Sequence, residues 1–193
     1  MKRKSFQDMG CPIARSLEQV GEWWSILIIR DALAGLSKFD EFQKNLEIAP
    51  NMLTRRLNSL IEAGLLERRQ YNDHPPRFEY IPTERAESFR IVLLSLLTWG
   101  NQHCAPEGAS VRIANVKTGE IADPILVDRK TKKPILSDEF EIISGPPAEA
   151  AVRDRVDLIR RNRNKKRNAG RSASIADKAT DKQPRKKRTS ARR

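Results

Sequence analysis

Between Pro50 and Glu62 the chain sets Asn51, Thr54, Arg55, Arg56 and Asn58 among Leu53, Leu57, Leu60 and Ile61. The apolar residues recur at three- and four-residue steps, the spacing of one helix stripe. On such a helix Asn51, Arg55, Asn58 and Glu62 share the opposite face, flanked by Thr54, Arg56 and Ser59. These residue types suit recognition rather than turnover. A guanidinium can bind guanine O6 and N7 bidentately, and an asparagine amide can pair with adenine N6 and N7. Arg55 is the strongest candidate for such reading, with Asn51 and Asn58 beside it. Arg56 fits either a phosphate contact or an intramolecular ion pair. A second cationic group follows at Arg68, Arg69 and Arg77. Arg68 and Arg69 are consecutive in a strand-like run, so they point to opposite faces and one of the two, taken as Arg69, would meet a polyanion. Arg77, next to the rigid Pro75-Pro76 pair, is placed to reach phosphates or a minor groove.

Those side chains need a scaffold, and the flanking pattern supplies one. Pro12 opens a helix with Ile13, Leu17 and Val20 at helical spacing, and Gly21 punctuates it. Trp23, Trp24, Leu27, Ile28 and Leu33 continue the period, with Ile26 and Ile29 adding a second apolar side, so this helix is central and mostly buried. Phe39, Phe42 and Leu46 define a short helix. Glu47-Ile48-Ala49 is a tight connection, and Pro50 starts the next helix where a missing N–H costs nothing. Ala49 is a poor cap, so packing must hold that start. After Gly64, residues 65–71 read as a strand, 72–76 as a turn and 77–81 as a returning strand. Thr83 is a plausible cap for one long helix over 84–103, with Phe89, Val92, Leu93, Leu96 and Leu97 as its stripe, then Trp99. Short helix, tight turn, second helix and hairpin is the layout of a helix-turn-helix with a wing, whose second helix enters the major groove.

Ordered motifs strengthen this layout. They are Cys11-Pro12-Ile13, Gly21-Glu22-Trp23-Trp24, Phe39-Asp40-Glu41-Phe42, Asn51-Met52-Leu53-Thr54-Arg55-Arg56-Leu57, Leu60-Ile61-Glu62-Ala63-Gly64-Leu65-Leu66, Pro75-Pro76-Arg77-Phe78-Glu79-Tyr80 with Thr83, and Trp99-Gly100. Residues 11–103 thereby resemble the HxlR family of winged helix-turn-helix transcription regulators, which are MarR-like. The resemblance implies a homodimer on a pseudo-palindromic operator, usually as a repressor, held by the N-terminal helix and the 84–103 helix. It places the recognition helix at about 50–63 and the wing at 67–81. Asn51 stands where the family often carries a basic residue, so base preference is expected to differ. The resemblance also implies a role for Cys11, since several such regulators use an N-terminal cysteine as a redox or electrophile switch. A thiol at a helix N-terminus can have a lowered pKa. The plain alternative is a small interface residue. Cys104, His74 and His103 read as incidental.

The expected fold is α+β: the winged domain at 11–103 with its dimerising helices, a small β-hairpin-rich appendix at 104–147, a short basic helix at 148–167 and a disordered basic tail at 168–193. In the appendix, Lys117-Thr118-Gly119-Glu120 and Arg129–Lys133 read as two turns of a weak internal repeat. The aromatic residues sit at core spacing, and a small-molecule effector pocket between dimer helices would use some of them.

Charge is unevenly distributed. The chain carries a formal +12, yet residues 153–193 hold 17 Lys/Arg against 4 Asp/Glu, leaving residues 1–152 nearly neutral. The tail's charge therefore supports only sequence-independent DNA affinity, and six phosphate contacts would steepen the log–log salt slope by about 5. An architectural, nucleoid-type DNA binder dominated by that tail is the rival reading. No nucleophile–base set, phosphate loop or metal-ligand spacing is present, which argues against an enzyme, a cofactor or a metal site. No apolar run approaches the roughly 20 residues of a bilayer span, and no secretory h-region follows the basic N-terminus. Double-stranded DNA is the expected partner, and a cytoplasmic, nucleoid-associated location with reduced thiols is expected.

Overall fold

The computed structural model describes residues 5–180, and for residues 168–180 the backbone alone. Helices α1 (Pro12–Val20), α2 (Trp23–Leu33), α3 (Phe39–Leu46) and α4 (Pro50–Glu62) precede the hairpin β1 (Leu66–Asp73) and β2 (Pro76–Pro82). Helices α5 (Glu84–Ser88), α6 (Arg90–His103) and α7 (Ala150–Thr180) follow. The chain divides into two compact units that meet at Pro134 and Ile135.

The core of the first unit is built where the periodicity places it. Ile28, Ile29, Phe42, Leu53, Leu57, Leu60 and Leu66 are fully buried. Trp24, Phe39, Leu93 and Tyr80 pack around them. Each such side chain contributes about 1.5–3 kcal/mol by leaving water. Gly21 lets α1 turn into α2. Its N–H donates to Leu17 O at 2.8 Å, and a Cβ there would sit 2.3 Å from that same oxygen. No larger residue fits this elbow.

Asp31, buried in α2, is satisfied from two sides. Arg30 donates to its Oδ1 at 2.8 Å and Asn45 Nδ2 to its Oδ2 at 2.7 Å. A buried carboxylate needs such partners, and these fasten the end of α3 to α2. Thr83 caps α5 as expected: its Oγ1 accepts from Ala86 N and donates to Gly64 O at 2.8 Å.

Three expectations are corrected. The single helix over 84–103 is two helices, broken at Phe89. Phe89 turns onto the core while Arg90 Nη2 donates to Leu33 O at 3.1 Å, so α6 leaves at the end of α2. The appendix at 104–147 contains no ladder. It has two single-bridge turns, Ala114 with Ile121 and Val127 with Pro134, and the boundary between the two compact units falls within it, between Pro134 and Ile135. Most of its apolar side chains, Val111, Val116, Ile121, Ile125 and Leu136 among them, are exposed.

The third correction concerns the basic segment. The helix expected at 148–167 spans Ala150–Thr180, its backbone continuing through residues 168–180. Lys, Arg and Ala are strong helix formers even where they bury nothing. The remainder of the expected tail, 181–193, lies outside the described residues. Within the second unit, Arg160 donates to Glu141 at 2.8 Å and 3.1 Å, and Arg163 donates to Phe140 O. These bonds fold the segment before α7 against it. Arg160 holds the Glu141 carboxyl below the usual glutamate range.

Candidate nucleic-acid interface

The α3–turn–α4 pair is set by one side chain in the turn. Ile48 is buried, so the connector is anchored in the core between the two helices. Glu47 takes a left-handed backbone conformation (φ 50°) to make the turn short enough. Ala49 provides no capping bond, and Pro50 occupies the first turn, so packing of Ile48 and Leu53 defines where α4 starts. At the other helix, Glu41 reaches back to the start of α3. Its Oε2 accepts from Ser37 N and Lys38 N at 2.9 Å each, half of a capping box. The Lys38 N–H bond, then that of Ser37, holds the Glu41 carboxyl below its usual range.

With Leu53, Leu57 and Leu60 buried, α4 turns Asn51, Thr54, Arg55 and Asn58 to solvent together. Thr54 Oγ1 donates to Pro50 O at 2.9 Å, leaving its lone pairs outward. Arg55 is exposed, and no ion pair engages it among the described residues.

Arg56 differs from its neighbour. Its Nη2 lies 3.0 Å from Glu22 Oε2, and the side chain is only 13% exposed. The structure thus realises the ion-pair alternative for Arg56. The tie runs from the middle of α4 to the residue that precedes α2. It resists rotation of α4 about its own axis, which would swing Asn51, Arg55 and Asn58 as a set.

The wing is an antiparallel pair with Arg69 opposite Glu79 and Arg68 opposite Tyr80. A bulge at Tyr71 shifts the register between Gln70 and Asn72. Arg69 Nη2 lies 2.7 Å from Glu79 Oε1, so its charge is balanced across the strands. Arg68 sits 4.3 Å over the Phe78 ring. Arg77 is exposed at the tip side, opposite Asn72. The hairpin is fastened to the helices by Tyr80 N donating to Ser37 O at 2.7 Å, and by Tyr80 packing edge-on to Phe42 with centroids 6.5 Å apart. Burial raises the Tyr80 hydroxyl above the usual tyrosine pKa.

Of the residues singled out from sequence, Asn51, Thr54, Arg55 and Asn58 come together on one face. Arg77 stands on the wing. Arg56 and Arg69 are engaged by Glu22 and Glu79. Neither glutamate is singled out by sequence: Glu22 lies 34 residues from Arg56, and Glu79 faces Arg69 only once the hairpin register is fixed. Cys11 is half-buried at the N-cap of α1, and Cys104 is exposed at the end of α6. Among the described residues, no helix is long and apolar enough to cross a membrane.

Comparison with known proteins agrees with this geometry. Residues 19–108 match the HxlR-like helix-turn-helix family. An HTH-type transcriptional regulator of Mycobacterium tuberculosis, Rv3095, is 37% identical over 144 residues, which span 74% of this chain and 91% of that protein. YdeP, an HTH-type transcriptional regulator of Bacillus subtilis, is 32% identical over 95 residues, 49% of this chain and 74% of its own. Among solved structures, the transcription factor PA1374 of Pseudomonas aeruginosa is 50% identical with a TM-score of 0.57. That match covers 75% of this chain and 99% of PA1374. Because a 144-residue match is longer than everything up to residue 108, the sequence shared with Rv3095 continues past the helix-turn-helix domain. The chain belongs to the HxlR-like helix-turn-helix family of transcriptional regulators, which are DNA-binding proteins and not enzymes.

Proposed function

We propose that this regulator acts as a homodimer that binds a pseudo-palindromic operator, and that it represses. The observation that carries the reading is α6. It presents Ile91, Val92, Leu94, Leu96 and Trp99 to solvent on several sides, and none of its residues is buried. A helix that is apolar all round belongs in an interior, and within one copy Leu93 packs against the core while those five side chains stay exposed. Ile13 and Leu17 on α1 and Trp23 at the start of α2 are exposed as well, at 73%, 45% and 75%. A second copy would bury these faces, and a two-fold dimer would present two α4 helices to successive half-sites.

In this reading Arg55, Asn51 and Asn58 contact base edges, and Thr54 and Arg77 contact the backbone. Arg69 contributes to the wing's phosphate contact with its charge partly offset by Glu79. Arg56 acts from behind through Glu22. Cys11, at the head of an interface helix, is the thiol through which an oxidant or electrophile would act on the dimer. The basic α7 and the residues after it add sequence-independent affinity, and the protein works in the cytoplasm on the nucleoid.

One observation favours the architectural alternative, namely the concentration of 17 Lys/Arg in residues 153–193. Binding to DNA upstream of the protein's own gene, against shuffled DNA over a salt series, separates the two. A preference of about a thousandfold persisting at physiological salt supports the specific regulator. A steep salt slope with no preference supports the architectural reading and sinks the first.

A further inference from the structure

Residues 114–121 and 127–134 form the same turn twice. In the first, Asn115 N donates to Glu120 O and Gly119 N to Asn115 O, both at 2.8 Å. Asn115 Oδ1 accepts from Lys117 N and Thr118 N, and Thr118 Oγ1 accepts from Glu120 N. In the second, Asp128 N donates to Lys133 O and Lys132 N to Asp128 O, again both at 2.8 Å. Asp128 Oδ2 accepts from Thr131 N and Thr131 Oγ1 at 2.7 Å each, and Thr131 Oγ1 accepts from Lys133 N. Each turn closes on a single bridge. The frame is therefore held by an Asx side chain, a threonine and the backbone, and the other tip residues are free to vary.

They vary in charge. The first tip reads Val116-Lys117-Thr118-Gly119-Glu120, close to neutral. The second reads Arg129-Lys130-Thr131-Lys132-Lys133, four cations in five residues. Asp128 is turned inward: Thr131 holds its carboxylate ionised, with its pKa below the usual range, and uses one of its oxygens for the frame.

The backbone adds an independent observation. Gly119 takes φ 75° in the first copy, and the residue in its place in the second is Lys132 at φ 59°. Left-handed backbone suits glycine and strains a residue with a Cβ. Lys132 is exposed, so no packing offsets that strain. The turn fixes this backbone through the Lys132 N to Asp128 O bond, so what a lysine adds over glycine here is its outward side chain.

We propose that Arg129–Lys133 is a preshaped phosphate-binding loop that grips the DNA backbone without reading sequence, outside the helix-turn-helix domain. The proposal rests on the DNA-binding reading above and adds a contact surface to it. Its cations are displayed on a hydrogen-bonded frame.

The test uses the full chain and a random-sequence duplex over a salt series. One variant combines Arg129→Gln, Lys130→Gln, Lys132→Gly and Lys133→Gln, leaving Asp128 and Thr131 to hold the turn. Lys117→Gln in the first turn is the control. The log–log salt slope should become shallower by about 0.9 for each phosphate no longer neutralised, so by about 2 to 4. Lys132→Gly alone should lower the slope by about 0.9 while the thermal midpoint holds or rises. The control should leave the slope in place.

A fourfold variant that matches the wild type in slope and affinity overturns the proposal. So does a single Lys132→Gly with an unchanged slope. If the four substitutions abolish binding to phosphatidylserine vesicles while duplex binding is unaltered, the loop's partner is a membrane and the proposal falls. Wild-type protein that binds no duplex at all takes the DNA reading down with it. Wild-type binding with an unaffected variant removes the loop alone.

Discussion

Helices α4 and α6 are both rich in leucine, yet they end in opposite states. In α4 the apolar residues form one stripe, and Leu53, Leu57 and Leu60 are fully buried beneath a polar face. In α6 they occur on several sides, and no residue is buried. The first helix is complete within one chain. The second packs Leu93 on the core and leaves an apolar surface exposed among the described residues. The difference separates what one chain completes from what it leaves exposed: the apolar residues of α4 hold its polar face in place, and Ile91, Val92, Leu94, Leu96 and Trp99 of α6 are the surface proposed to meet a second copy.

Substitutions should split along the same line. Leu57→Ala leaves a cavity under α4 and should lower folding stability by about 2–5 kcal/mol, read by urea denaturation. Leu96→Asp should leave the circular-dichroism spectrum and the denaturation midpoint close to wild type while the protein sediments as a monomer. Operator affinity should then fall by about a hundredfold or more, because two half-sites are no longer linked. If Leu96→Asp unfolds the chain as Leu57→Ala does, α6 is part of the monomer's core and the contrast is broken.

The polar face of α4 carries the next largest effect. Arg55→Ala should lose about 1–3 kcal/mol of discrimination between operator and shuffled DNA, with stability unchanged. Competition binding measures it directly. Equal loss on both DNAs would make Arg55 a phosphate contact instead of a base reader.

How much of this was legible before the structure depends on the range of the interactions involved. The limits of α1 to α4, the wing and the Thr83 cap follow from period, proline and glycine, which act within a few residues. The separation of Asn51 and Arg55 from Leu53 and Leu57 follows from helical spacing alone. The break at Phe89 does not, because it depends on Arg90 finding a carbonyl at Leu33, far away in sequence. The same holds for Glu22 with Arg56. The length of α7 is not legible for a different reason: composition speaks to burial, whereas Lys, Arg and Ala favour helical backbone by propensity. The twin turns were visible as a faint repeat, but only the φ angles show that a lysine stands where the first copy has glycine.

A subtler test asks whether Arg56 belongs to the reading face or to its support. Arg56→Met keeps the aliphatic bulk and removes the charge. Operator preference should weaken while the salt slope stays at the wild-type value, because the same phosphates remain neutralised. A slope shallower by about 0.9 would instead show Arg56 on the DNA backbone. A cycle with Glu22→Gln should give a coupling of about 1 kcal/mol in operator binding, modest because Glu22 is partly exposed.

The smallest expected effect lies at the start of α3. The Lys38 and Ser37 N–H groups favour the ionised Glu41, so its folded pKa is lower than its unfolded one. Its contribution to stability is therefore complete above the unfolded value and is lost as pH falls through the folded one. Glu41→Gln should lower the denaturation midpoint slightly at neutral pH, and the two proteins should converge in acid. Operator preference at neutral pH should not change, since α3 supports α4 through Ile48 and the core rather than through this cap. A midpoint difference that persisted unchanged into acid would mean that Glu41 acts through shape and not through its charge. A change in operator preference would mean that the cap sets the angle of the reading helix, which would move part of α4's support out of the core.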